Sequence, residues 1–273
     1  MKLKVYGLAL LFMCFSFISK AQKSLLENPL PDKYKSLEKY DSPVFYDYGK
    51  IKIYAISTGY ISTSGNFPEP VFVWLIKTDT ANYLIDAGLS SHVLNKNYFG
   101  GISGYFFEKQ FTFYRTEKND LIARLKELSV YPKNIKSIFL THAHFDHIGY
   151  LPELKGVKVF LTEKEKDEVA EQGQLAGYQK NTDTIIDLKR IETIHVKERE
   201  IKKLNSLISI IRTGQHTPGH EMILLQGEKI KILFTGDLNL KMEKPNSDLM
   251  NFLDQKIGLK DCTQFFNHDI NLK

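Results

Sequence analysis

Apolar positions recur along the chain in two rhythms. Ile51–Ser57, Val71–Lys77 and Asn82–Asp86 alternate or run continuously apolar and predict strands, with Asp79 and Thr80 at a hairpin turn between the last two. Leu121, Ile122, Leu125 and Leu128 share one face at a 3.6-residue period and predict a helix over Asn119–Ser129. Ser137–Leu140 is a short apolar strand that runs directly into Thr141-His142-Ala143-His144-Phe145-Asp146-His147. The second half repeats the order. Val157–Leu161 predicts a strand and Glu163–Glu171 a helix. Leu207–Arg212, Met222–Gln226 and Ile230–Phe234 predict strands, Ser247–Ile257 a helix, and Thr263–Phe266 a last strand leading to Asn267-His268-Asp269. Leu89–Arg115 reads as a long connection, rich in glycine and aromatic residues. Each half therefore gives strands, a helix, and a strand that ends in potential metal ligands. That order predicts an α/β four-layer αββα sandwich over residues 51–273, preceded by a polar arm at 22–50.

The first 21 residues follow a different logic. Lys2 and Lys4 precede an apolar run from Val5 to Ile18, and Ser19-Lys20-Ala21 places small residues before a cut ahead of Gln22. The run is shorter than the ~20 residues that span a bilayer. We expect a cleaved signal peptide and a secreted or periplasmic mature chain with no stable membrane insertion. Cleavage would remove Cys14 and leave Cys262 as the only cysteine, without an internal partner.

Composition adds exclusions. The chain has 273 residues, 42% hydrophobic and 25% charged, which suits a folded domain and excludes a disordered or collagen-like chain. The formal charge of +5 includes three leader lysines, so only +2 remains from Gln22 onward. That bias is too weak for a nucleic-acid partner.

The chemistry concentrates in His142-x-His144-x-Asp146-His147. On an extended chain alternate residues point the same way, so His142 and His144 can aim two imidazoles at one cation. Asp146 and His147 follow the bend and can serve a second. His216, Asp237 and His268 each sit where an apolar strand gives way to a polar loop and complete a set of seven donors. Two cations sharing such donors activate water for hydrolysis at neutral pH. Two Zn²⁺ are the expected cofactors, although other divalent metals accept the same ligands. His92 and His195 lack any ligand context, and His220 is expected to bond the backbone of its loop.

With Asp86 in Leu84-Ile85-Asp86-Ala87-Gly88, these five ordered motifs resemble the metallo-β-lactamase superfamily over roughly residues 51–270. The resemblance implies one zinc on His142, His144 and His216, and the other on Asp146, His147 and His268, with Asp237 bridging. Asp86 would stand behind the ligands and orient one of them, and His220 would lie beside them. Phe265-Phe266-Asn267-His268-Asp269 and Phe145-Asp146-His147-Ile148-Gly149 are most similar to the N-acyl homoserine lactonase branch, whose tail reads Phe-Phe-Gly-His-Asp. That branch implies a small-molecule lactone substrate carrying an acyl chain. A metal-bridging hydroxide would open the lactone ring, and Asp146 would act in proton transfer. The alternative is another ester, a thioester or a β-lactam, although zinc β-lactamases generally lack the carboxylate found here at Asp237. Leu240 stands where well-known members carry a tyrosine that touches the substrate carbonyl. A tyrosine from Tyr98–Tyr114 is one candidate replacement. The aromatics of that stretch either line an acyl-chain channel or pack the long loop against helix 119–129.

Overall fold

Both faces of the strand Glu69–Thr78 are buried, and this sets the layering. In the computed structural model, which describes residues 27–95, 98–172, 191–228, 230–238, 240 and 247–268, Phe72, Trp74 and Ile76 point into one core. Val73 and Leu75 point into another. A strand covered on both sides reads as a continuous apolar run, as Val71–Ile76 does. The leader at 1–21 lies outside the described residues.

The first sheet runs β1 (Val44–Tyr48), β2 (Ile51–Thr63), β3 (Glu69–Thr78), β4 (Asn82–Ile85), β6 (Ile135–Phe139), β7 (Lys158–Thr162) and β8 (Ile191–Ile194). It is antiparallel from β1 to β4 and parallel from β4 to β8. Beyond a bulge between Ser57 and Tyr60, β2 also pairs with β5 (Phe111–Tyr114). The second sheet runs β9 (Ile201–Lys203), β10 (Ile208–Arg212), β11 (Glu221–Gln226), β12 (Lys231–Phe234) and β13 (Thr263–Phe265). Its last pair is parallel and the others antiparallel.

Between the sheets, Ile53, Ala55, Trp74, Ile85 and Phe139 meet Ile208, Ile210, Ile223, Phe234 and Phe265. Fully burying side chains of this size stabilises the fold by roughly 1.5–3 kcal/mol each. Outside the first sheet lies α2 (Leu121–Glu127), which buries Leu121 and Leu125 and is capped by the Asp120 carboxylate accepting from the Ala123 N–H at 2.8 Å. Outside the second lies α5 (Ser247–Ile257), which buries Leu249, Leu253 and Ile257 against Ile211, Leu224 and Leu233. The order of layers is therefore helix, sheet, sheet, helix.

Leu89–Arg115 departs from the expected irregular connection. It holds α1 (Gly101–Glu108) and β5. Its Phe99, Phe107, Phe111 and Phe113 ring Phe145, with centroids 4.9–6.1 Å away, so they do not pack against the 119–129 helix. Helix propensity is low across two glycines and three aromatics, and tertiary packing on Phe145 decides the conformation. Among the described residues no helix is long and apolar enough to cross a membrane.

Candidate metal centre

Five strands end near one another and hand on the expected residues. Asp86 follows β4, and His142–His147 follows β6 and includes the one-turn helix α3 (Phe145–Ile148). His216 follows β10, Asp237 follows β12 and His268 follows β13. Each side chain thus stands on a loop anchored by a buried strand from one of two different sheets.

His142 Nε2 and His144 Nδ1 lie 2.9 Å apart, and His216 Nε2 lies 3.1 Å from each of them. The Asp237 Oδ2 atom closes the group, 3.7 Å from His142 Nε2 and 3.5 Å from His216 Nε2. A neutral imidazole carries one N–H, so hydrogen bonds cannot satisfy every edge of such a triangle. Ligands on a tetrahedral zinc at 2.0–2.1 Å lie about 3.3 Å from one another, close to these separations.

The other Asp237 oxygen turns the opposite way. Its Oδ1 lies 3.1 Å from His147 Nε2 and 3.3 Å from His268 Nε2. Asp146 Oδ2 lies 3.5 Å from His147 Nε2 and 3.7 Å from His268 Nε2. Both donor groups fall within 4.8 Å, atom to atom, and Asp237 belongs to both. His147 Nε2 and Asp237 Oδ1 are buried without a hydrogen-bond partner. Buried polar atoms of this kind are costly unless a hydrogen bond or a cation satisfies them. Nitrogen and carboxylate donors at these distances fit a divalent metal.

The groups behind these donors fix their aim. Asp86 is fully buried; its Oδ1 accepts the Thr141 N–H at 2.7 Å, and its Oδ2 lies 2.9 Å from His147 Nδ1. In the neutral ring that contact places the proton on Nδ1 and leaves Nε2 to face Asp237. Asn267 donates from Nδ2 to Asp86 Oδ2 at 2.5 Å and accepts at Oδ1 from the Trp74 indole at 2.9 Å. Asp86 and His216 both adopt left-handed backbone, with φ of 61° and 66°. Such strain costs about 1–3 kcal/mol per residue and persists where the surroundings dictate it.

His220 does not bond its loop backbone through the ring. Its Nδ1 lies 2.9 Å from the Thr213 hydroxyl, because the buried ring turns inward beside His142 and His216, at centroid distances of 5.5 and 5.8 Å. Gly236, at φ +58°, leaves it room: a Cβ there would lie 2.6 Å from His220 Nε2. His92 and His195 are at the surface beside Glu153 and Glu163. Leu240 packs with the apolar cluster under α5. Sequence reasoning missed Thr141, Asn267 and Glu165, which carry no ligand motif of their own; Asn267 is marked only by adjoining His268 and by replacing the glycine of the related motif.

Electrostatics divide the centre in two. Burial, then the charge of His147 and His144, pushes His142 well below its ordinary value, and burial takes His144 down to about 4. Burial also lowers His147 and His268, but Asp237 and Asp146 more than reverse it: His147 rises well above its ordinary value and His268 to about 9. Burial would raise the Asp237 carboxyl, yet His147 and His268 hold it well below the usual carboxylate range. The three-histidine side favours neutral imidazole, the form that binds cations; on the other side the carboxylates are held ionised, and a cation bound there would displace the protons that His147 and His268 gain without it.

The family profile of the metallo-beta-lactamase superfamily matches residues 66–271, spanning every one of these donors. The chain belongs to the metallo-beta-lactamase superfamily. It is a hydrolase of that superfamily with a metal-binding His/Asp centre. An N-acyl homoserine lactonase of Bacillus cereus is 24% identical over 253 residues, which is 83% of this chain and 92% of the relative. The hydroxyacylglutathione hydrolase GloC of Haemophilus influenzae is 35% identical over 130 residues, 45% of this chain and 57% of that protein. Among solved structures, an N-acyl homoserine lactone hydrolase with N-hexanoyl-L-homoserine bound at its catalytic metal center superposes with a TM-score of 0.61 at 21% identity, covering 80% of this chain and 93% of that one. The dizinc quorum-quenching lactonase AidC gives 0.58 at 16% identity, covering 83% and 90%. These likenesses agree with the αββα layering.

Proposed function

We propose that this chain is an exported dizinc lactonase that opens the ring of N-acyl homoserine lactones. The carrying observation is the division of Asp237, one oxygen toward each donor group, in a superfamily hydrolase whose relatives over most of its length are lactonases. His142, His144, His216 and Asp237 Oδ2 would hold one Zn²⁺. Asp146, His147, His268 and Asp237 Oδ1 would hold the other. A pair of such cations lowers the pKa of water and polarises a carbonyl.

The residues of the chain do the rest. Asp86 keeps His147 in one tautomer through Nδ1. Phe145, between His144 and Asp146, anchors that turn in a buried aromatic cluster with Phe99. Asp146, whose Oδ2 lies 3.5 Å from His147 Nε2 and 3.7 Å from His268 Nε2, would act in proton transfer to the leaving alkoxide. The apolar leader before Gln22 supports export, and an exported enzyme would meet a signal lactone outside the cytoplasm.

A second reading, thioester hydrolysis, is favoured by the match to GloC. The metal-loaded chain from Gln22 onward decides between them on N-hexanoyl- and N-decanoyl-homoserine lactone, a hydroxyacylglutathione and nitrocefin. Ring opening of the lactones as the fastest reaction is expected. Faster thioester cleavage, or turnover of nitrocefin alone, overturns the lactonase reading. N-terminal sequencing of the exported protein should begin at Gln22, and retained Met1 defeats the export reading.

A further inference from the structure

We infer that Glu165 is a positioning residue for the three-histidine half of the centre, acting as a clamp between the two loops that carry those histidines. The inference rests on the two-cation reading above. Glu165 lies in the first turn of α4 (Glu163–Gln172), yet it is fully buried among the lysines and acids of that helix. Its Oε1 accepts the Ala143 N–H at 2.9 Å, which is the peptide between His142 and His144. Its Oε2 accepts the Thr217 hydroxyl at 2.6 Å, beside His216. One carboxylate therefore grips a loop that follows β6 in the first sheet and a loop that follows β10 in the second.

Two further contacts seat α4 on the His216 loop. The Thr162 hydroxyl donates to the Gly219 carbonyl at 2.6 Å. Gly219 lies so close to the helix that a Cβ would fall 2.1 Å from the Glu165 amide nitrogen. Through Ala143 and Thr217, Glu165 holds the loops that carry the three imidazoles. Its effect is on the spacing of His216 from His142 and His144, 3.1 Å in each case. Metal sites tolerate little error in such spacing, of the order of 0.5 Å.

The other half of the centre is held differently, by Asp86 and Asn267 on His147. Loss of Glu165 should therefore weaken one cation site and spare the other. The test titrates the metal-free chain with Zn²⁺ against a chromophoric chelator, using wild type, Glu165→Ala, Glu165→Gln and Thr217→Val. Wild type should take two ions per chain. Glu165→Ala should weaken one binding step about 10–100-fold, as loss of a group behind metal ligands typically does, and leave the other step in place. Thr217→Val, which keeps the side-chain shape, should weaken the same step by less. Glu165→Gln keeps an acceptor for Ala143 and a polar partner for Thr217, and should recover most of the loss. Two unchanged steps in both Glu165→Ala and Thr217→Val overturn the clamp, as does equal weakening of both steps. A wild type that takes one ion overturns the two-cation reading instead, and unchanged binding of that ion in both variants would still overturn the clamp.

Discussion

Asp237 Oδ1 stands 3.1 Å from His147 Nε2, and both atoms are buried without a hydrogen-bond partner. Oδ2 of the same carboxylate faces His142 and His216 on the other side. A single side chain thus joins two donor groups that neither sheet could bring together alone.

Replacing this carboxylate should cost both sites at once. Asp237→Ala should drop bound metal below two ions per chain and lower turnover by more than about 100-fold, beyond the range seen when supporting groups are lost. Elemental analysis alongside kcat checks this. Full metal content in the variant would show that Asp237 is no ligand.

The metal-free chain should be most stable near the ordinary histidine value of 6.5. His142, His144, His216 and His220 are held below it, His144 at about 4. As pH falls below 6.5 the unfolded chain takes up protons that these folded rings refuse, so stability is lost. Glu221, raised by burial and by Glu165, works in the opposite sense but is one group against four. His147 and His268 are raised, His268 to about 9, so their contribution is complete below 6.5 and is lost as pH climbs toward 9. Metal binding requires deprotonated rings, so zinc should abolish the alkaline decline. Thermal unfolding from about pH 5 to 9, with and without zinc, tests both limbs. A metal-free chain that grows steadily more stable up to pH 9 would refute the assignment.

Much of this centre was legible because of where polar residues interrupt apolar ones. Four donor side chains crowd into His142–His147 directly after a buried strand, and His216, Asp237 and His268 each follow another. What stayed hidden depends on contacts distant in sequence. Thr162 and Glu165 have the spacing of a helix cap, and the Glu165 N–H does lie 3.2 Å from the Thr162 hydroxyl, but the Glu165 carboxylate reaches across to Ala143 and Thr217. The charged run around it reads as a solvated face. α1 is hidden for a related reason: its apolar residues divide between Phe107, packed on Phe145, and the exposed Ile102, Tyr105 and Phe106.

Tyr98 tests whether a tyrosine of the 98–114 stretch replaces the one expected at Leu240, which lies in the apolar cluster under α5. Burial, then the charge of Asp146, raises the Tyr98 hydroxyl far above its ordinary value against a hydrogen bond with Ser90, so it keeps its proton. Tyr98→Phe should leave metal content unchanged and reduce kcat on the lactone by about 100-fold, the loss typical of one donor to a developing oxyanion. An unchanged kcat would reduce Tyr98 to a packing residue against Phe99.

The indole of Trp74 links the core to the centre and provides the last test. Trp74 is fully buried, stacks on Phe265 at 4.6 Å, and donates to Asn267 Oδ1 at 2.9 Å. Asn267 then presents its amide nitrogen to Asp86 Oδ2 and, at 3.2 Å, to His147 Nδ1, which Asp86 also faces. Trp74→Phe keeps an aromatic ring between the sheets but leaves Asn267 Oδ1 buried without its donor, a penalty of about 1–3 kcal/mol. The side-chain amide is then free to rotate and withdraw its bond from Asp86. The variant should unfold at lower temperature and also bind zinc more weakly at the step that involves His147. Because the bonds of Glu165 to Ala143 and Thr217 do not pass through Asn267, the other step should move less. Trp74→Leu, which removes the ring as well, should lower stability further without a further change in zinc affinity. If zinc affinity instead falls in proportion to stability across both variants, the indole matters only as filling between the sheets, and the relay through Asn267 to Asp86 is refuted.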